Sequence, residues 1–95
     1  MDISVIIPAY NEKESLPELT SWIARVMDDH SYTYEMIIVD DGSSDGSWAT
    51  ILDLAKGNSN IHGISFRRNY GKSAALYCGF NRAAGDVVFT MDADL

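Results

Sequence analysis

Two aspartates one residue apart, Asp92-Ala93-Asp94, follow the apolar run Val87 to Met91 and are the residues best suited to chemistry. A D-x-D leaving a strand can present both carboxylates to one hard divalent cation. Mg²⁺ in particular is usually held by one or two carboxylates together with the phosphates of a substrate. The competing reading is a pair of solvated acids at a chain end. A second acidic pair, Asp40-Asp41, follows the apolar run Met36 to Val39 and opens the turn-rich stretch DDGSSDGS. A carboxylate there, followed by Gly42, can accept hydrogen bonds from a base N–H or a ribose hydroxyl. It can equally satisfy local N–H groups in a turn that caps the next helix. Ser44, Asp45 and Ser47 read as capping or turn residues.

The stretch FRRNYGKSAAL carries a third group. Gly71-Lys72-Ser73 resembles the tail of a phosphate-binding P-loop, but the position where that loop needs its first glycine is Phe66, so the motif fails. Arg67, Arg68 and Lys72 remain as a basic cluster near a helix N-terminus. Such a cluster suits an anion such as a diphosphate, or it balances an acidic surface. His30 and His62 have no partner at metal-ligand spacing and read as surface or boundary residues. Cys78 reads as core, and Trp22 and Trp48 as packing residues on helical stripes.

The elements that must position these groups alternate between two periods. Ile3 to Ile7 is β-branched apart from Ser4 and reads as a buried parallel strand. Leu16, Leu19, Ile23 and Val26 form a helical stripe, and Pro17 places the start of that helix near Glu14 or Ser15. Met36 to Val39 is a second strand. A second helix, capped by Ser44 or Asp45, runs through about Lys56 and ends at Gly57. Ile61 to Phe66 is a third strand, Tyr70 to Ala84 a third helix, and Val87 to Met91 a fourth, buried strand. This β-α-β-α-β-α-β order predicts an α/β, Rossmann-like, doubly wound parallel sheet with right-handed crossovers. Such sheets bind ligands outside the carboxyl ends of their strands, where strand order reverses. Each group of chemically useful residues follows a strand.

Composition narrows the partners. The chain has 95 residues, 46% hydrophobic and 22% charged, which fits one small globular domain with a modest core. A net charge of -7 argues against nucleic acid and against electrostatic binding to a membrane surface. An anionic substrate would need a cation as mediator. The single Cys78 leaves no internal disulfide and suits a reducing, cytoplasmic setting. MDISVIIPAYNE has no basic n-region, so a signal peptide is not expected, and no run approaches the ~20 apolar residues of a membrane span.

Four segments in order, VIIPAYNE, IIVDDGSSDGS, FRRNYGKSAALYCGF and GDVVFTMDADL, resemble the N-terminal half of family 2 glycosyltransferases with the GT-A fold. The likeness is nearest to the branch that charges polyprenyl phosphates, such as dolichyl-phosphate mannose synthases and bacterial undecaprenyl-phosphate glycosyltransferases. It covers essentially the whole chain, and the ordered spacing of four motifs carries it. The resemblance implies that Pro8, Tyr10 and Glu12 line a pocket for the nucleotide base, and that Asp41, with Asp40, binds base or ribose. It implies that Arg68 and Lys72 approach the diphosphate of a UDP- or GDP-sugar. Asp92 and Asp94 would bracket a Mg²⁺ or Mn²⁺ on the same diphosphate.

The expectation is therefore the donor-binding part of an inverting, metal-dependent glycosyltransferase, with residues 1–95 ending after the D-x-D motif. A polyprenyl phosphate is the expected acceptor. Any catalytic base and the acceptor site are expected beyond Leu95, in a parent protein at the cytoplasmic face of a membrane. Two rivals stand beside it. One is a non-catalytic nucleotide-binding module that forms a homodimer through its exposed sheet edge. The other is a receiver-like phosphoacceptor domain, disfavoured because its paired acids would follow the first strand, where this chain has Pro8 to Glu12.

Overall fold

The computed structural model describes residues 1–94. The elements are β1 (Ile3–Ala9), α1 (Leu16–Asp29), β2 (Tyr34–Asp40), α2 (Ser47–Gly57), β3 (Ile61–Ser65), α3 (Lys72–Arg82) and β4 (Val87–Thr90). All strand pairs are parallel, in the order β3-β2-β1-β4. Successive strands step outward from β1 to β3, and the chain then crosses back to place β4 on the other side of β1. Strand order reverses there, so the carboxyl ends of β1 and β4 frame a crevice.

The period-2 alternation of β1 and β2 sends side chains to two covered faces, which is why both strands read as continuous apolar runs. Val5, Ile7, Met36 and Ile38 pack with Leu16, Leu19, Ile23 and Met27 of α1 and Ile51 of α2. Ile37 and Val39 face the other way, onto Ala75 of α3. The sheet is doubly wound as the alternation predicts. On α1 the buried stripe runs through Met27, with Val26 only half-buried at its flank. Among the described residues no helix is long and apolar enough to cross a membrane.

Several local expectations are corrected. β4 is not buried: all four of its residues are exposed, because α3 packs over β1 and β2 and leaves the edge strand uncovered. Cys78 is half-buried and Phe80 is exposed, since only Ala75 and Gly79 of α3 reach the sheet closely. Trp22 is exposed on α1, whereas Trp48 packs against the core. The cap of α2 is Gly46, with φ +92°; the Asp45 carboxylate reaches past it to accept the Ser47 N–H at 2.9 Å. Ser44 instead donates its N–H to the Asn11 side chain at 2.8 Å.

β2 also begins two residues earlier than its apolar run, because it includes a charged residue. Glu35 is 3% exposed, yet it accepts hydrogen bonds from the Ser4 hydroxyl at 2.6 Å and the Ala84 N–H at 2.7 Å. A buried carboxylate is tolerated when it is bonded in this way. Burial pushes its pKa up, but the Ser4 and Ala84 hydrogen bonds and the charges of His62 and Arg82 outweigh burial and hold it below the ordinary carboxylate value.

Candidate functional site

The loops leaving the four strands meet over the carboxyl edge of the sheet. They enclose a cleft of about 410 Å³ lined by Pro8, Ala9, Tyr10, Glu12, Asp41, Asn69, Gly71, Lys72, Asp92, Ala93 and Asp94. Its size falls within the usual range for small-molecule sites, and it lies where strand order reverses.

The loops after β1 and β2 are stitched together by hydrogen bonds. Asp41 N–H donates to the Ala9 carbonyl at 2.8 Å, and Asn11 N–H to the Ser43 hydroxyl at 2.8 Å. Glu12 N–H donates to the Ser47 hydroxyl at 3.1 Å. These bonds hold Tyr10 at the rim, 48% exposed, with its ring free to lie against a planar ligand. Glu12 sits lower, accepting the Ser15 hydroxyl at 3.2 Å.

Asp41 fastens the loop after β3. Its Oδ1 accepts the Tyr70 N–H at 2.7 Å, while Oδ2 accepts the Gly71 N–H at 3.0 Å and the Asn69 amide at 3.1 Å. A carboxylate offers about four acceptor sites, so one on Oδ1 remains for a ligand donor. The loops approach so closely that a Cβ on Gly42, whose φ is +75°, would lie 2.3 Å from the Arg68 carbonyl carbon. Only glycine fits there.

Beyond β4, Met91 N–H completes the ladder to the Ile6 carbonyl at 3.0 Å. Ala93 is buried in the main core cluster and anchors the turn, which leaves Asp92 and Asp94 exposed on either side of it and both lining the cleft. Lys72 Nζ reaches across to Asp92 Oδ1 at 2.7 Å. That hydrogen bond and the charges of Asp92 and Asp94 raise the Lys72 pKa above its ordinary value. The ammonium and the D-x-D are therefore neighbours, where one diphosphate could touch both.

Two carboxylates are a partial donor set. Among the described residues no group of three or more His, Cys, Asp or Glu side chains could hold a metal. Hard oxygen donors in that number fit Mg²⁺ or Mn²⁺ completed by ligand phosphates and water, rather than an all-protein cage.

The structure separates two predicted residues from the rest. Asp40 is 2% exposed at the end of β2, takes the Ser43 hydroxyl, and does not line the cleft. Its place is in the turn, one of the two roles that its sequence context allowed. Arg68 is outside the lining as well, with its guanidinium 5.0 Å from the centre of the Tyr70 ring. Pro8, Tyr10, Glu12, Asp41, Lys72, Asp92 and Asp94 are brought together. Sequence reasoning did not assign Ala9, Asn69, Gly71 or Ala93 to the site. Ala9, Asn69 and Gly71 work through bonds to Asp41, and Ala93 through burial, so none leaves a mark in residue type.

The chain matches the description of Glycosyl transferase family 2 over residues 4–95. It belongs to that family. It is 49% identical over 94 residues to an undecaprenyl-phosphate 4-deoxy-4-formamido-L-arabinose transferase of Aeromonas hydrophila subsp. hydrophila, an alignment covering 98% of this chain and 29% of the relative. Among solved structures, a mannosyltransferase from Pyrobaculum calidifontis in complex with GDP-Man and Mn²⁺ superposes with a TM-score of 0.84 at 27% identity, over 97% of this chain and 27% of that one. S. aureus TarS in complex with UDP-GlcNAc gives 0.83 at 26% identity, over 99% and 27%. The family 2 chain described here thus spans about three tenths of the length of the curated relatives it matches.

Proposed function

We propose that this family 2 chain forms the donor site of a metal-dependent, inverting glycosyltransferase that moves a sugar from a nucleotide-sugar to a polyprenyl phosphate. The observation that carries the reading is the convergence of Tyr10, Asp41, Lys72 and the Asp92–Asp94 pair on one cleft at the reversal of strand order. The donor class is supported by neighbours that hold GDP-Man and UDP-GlcNAc, and the acceptor class by the undecaprenyl phosphate named in the relative.

Each residue has a task. Pro8, Tyr10 and Glu12 wall the base pocket, and the free acceptor site on Asp41 Oδ1 takes a base N–H or ribose hydroxyl. Lys72 exchanges Asp92 for a diphosphate oxygen. Asp92 and Asp94 would hold Mg²⁺ or Mn²⁺, which when bound supplies Lewis-acid stabilisation of the departing nucleoside diphosphate. The acceptor oxygen attacks the anomeric carbon on the side opposite the leaving group, which inverts the configuration. A phosphate acceptor is already ionised and needs less from a general base than a hydroxyl does.

Calorimetric titration of UDP and GDP with and without Mn²⁺ tests the donor site, and sugar transfer to undecaprenyl phosphate tests the reaction. Binding of one nucleotide that Mn²⁺ strengthens is the expected outcome. Absence of nucleotide binding at millimolar concentration would overturn the reading. The 4-deoxy-4-formamido-L-arabinose of the relative is the first sugar to assay.

The exposed edge strand β4 favours one second reading, a nucleotide-binding module that pairs two copies through that edge. Sedimentation would then show a dimer, with nucleotide bound and no sugar transferred.

A further inference from the structure

β4 has little to hold its register. Strand register is well specified where one face is buried, because a slip of one residue turns every side chain over. All four β4 residues are exposed, so burial does not choose among the possible pairings of β4 with β1. Asp92 and Asp94 follow that strand directly. A slip of one residue would move them by about 3.3 Å, more than the length of a metal–oxygen bond.

Burial of Ala93 anchors the turn at the cleft end; the strand itself is fixed at its other end, at the opposite edge of the sheet from the cleft. The short link from α3 to β4, Ala83 to Asp86, lies against β1. Gly85 N–H donates to the Ser4 hydroxyl at 2.8 Å, and the Ser4 hydroxyl donates to Glu35 Oε2 at 2.6 Å. Ala84 N–H donates to the same Oε2 at 2.7 Å. Ser4 is fully buried and Glu35 is 3% exposed. A Cβ on Gly85 would lie 2.6 Å from the Ser4 backbone nitrogen, so the link can seat this closely only with glycine there. From this clamp the ladder runs through Val87 N–H to the Asp2 carbonyl at 3.0 Å and ends at Met91 N–H on the Ile6 carbonyl at 3.0 Å.

We propose that Glu35 is a positioning residue for the D-x-D corner: with Ser4 it clamps the Ala84-Gly85 link, sets the register of β4 on β1, and so fixes where Asp92 and Asp94 emerge. The link to metal binding rests on the donor-site reading above; the clamp on β4 does not. A carboxylate on β2 that accepts from Ser4 of β1 and from the Ala84 link fits this task better than an apolar side chain, which would bury area without choosing a register. Outer-shell partners of metal ligands act in the same manner, by orientation rather than by contact.

The test compares Glu35→Ala, Ser4→Ala, Glu35→Gln and a core control, Ile51→Val, in the 95-residue chain. Amide hydrogen exchange reads Val87 and Met91 on the β4 ladder against Met36 and Phe66 on the β2–β3 side. Mn²⁺ affinity is read by electron paramagnetic resonance in the presence of UDP or GDP. In Glu35→Ala the β4 amides should lose about tenfold or more of their protection relative to the reference amides, and Mn²⁺ affinity should fall about tenfold or more. Glu35→Gln should stay close to wild type in both, because an amide oxygen in the place of Oε2 still accepts from Ser4 and Ala84. Ser4→Ala removes one bridge and should show the same preference for β4 in smaller measure, which decides the matter should Glu35→Ala not fold. Equal loss of protection on both sides of the sheet, as in the control, would overturn the proposal. Wild-type protein without Mn²⁺-dependent nucleotide binding would refute the donor-site reading instead, while the exchange data would still decide the clamp.

Discussion

Asp41→Ala removes the acceptor that joins the loops after β2 and β3, and its cost can be worked from the bonds it makes. The carboxylate is 4% exposed and accepts from Tyr70 N–H, Gly71 N–H and the Asn69 amide. Hydrogen bonds to a charged group contribute about 1.5–3 kcal/mol each, so simple addition gives about 4–9 kcal/mol. Addition overshoots, because the bonds share one acceptor. Tyr70 and Asn69 are also exposed residues, so their freed N–H groups reach water on loop opening. A loss of about 2–3 kcal/mol is the better expectation, from a total of about 5–14 kcal/mol for a chain of this length. With a urea m-value near 1.5 kcal/mol/M the midpoint should fall by about 1–2 M, with m unchanged. Asp41→Asn keeps the volume and one acceptor oxygen and should recover part of the loss. A midpoint for Asp41→Ala within about 0.3 M of wild type would refute the claim that this carboxylate fastens the two loops.

Further outcomes follow from neighbouring features. Gly42→Ala, at φ +75° and with its Cβ 2.3 Å from the Arg68 backbone, should cost about 2 kcal/mol or more in urea unfolding and weaken nucleotide binding by parting the same loops. Lys72→Met should leave the urea midpoint close to that of wild type, because the ion pair to Asp92 is solvent-exposed, yet lower nucleotide affinity; unchanged binding would remove Lys72 from the diphosphate site. Glu35 has a folded-state pKa below its ordinary value, so its contribution is full above about pH 4.5 and is lost as pH falls through the lower folded value. Urea midpoints should drop below that pH, and Glu35→Gln should flatten part of the drop; identical acid profiles would contradict the assignment.

The β-α alternation was legible because period-2 and period-3.6 apolar patterns are local, and it pointed to the sheet class and to the sheet edge where the cleft lies. β4 shows the limit. Val87 to Met91 has the composition of a buried strand, but burial depends on what packs over it, and α3 packs over β1 and β2 instead. Glu35 shows the reverse. It lies just before the apolar run Met36 to Val39, while its partners Ser4 and Ala84 lie 31 and 49 residues away in sequence. In the cleft, residue types announced Asp41, Lys72, Asp92 and Asp94. The division of labour between Asp40 and Asp41 was not announced. Two adjacent acids have the same chemistry, and only the end of β2 decides which one enters the turn and which one faces the cleft.

The central claim, a metal-assisted nucleotide site in this chain, is tested most directly by thermal unfolding with UDP or GDP, with and without Mn²⁺, in wild type and Asp94→Ala. A ligand at ten times its Kd stabilises the folded state by about 1.4 kcal/mol, which for a domain of this size is a rise in Tm of roughly 6–11 °C. The account predicts a rise of that order for one of the two nucleotides, larger with Mn²⁺, and loss of the Mn²⁺ increment in Asp94→Ala. An unchanged Tm at millimolar nucleotide, or an increment that survives in Asp94→Ala, would contradict it.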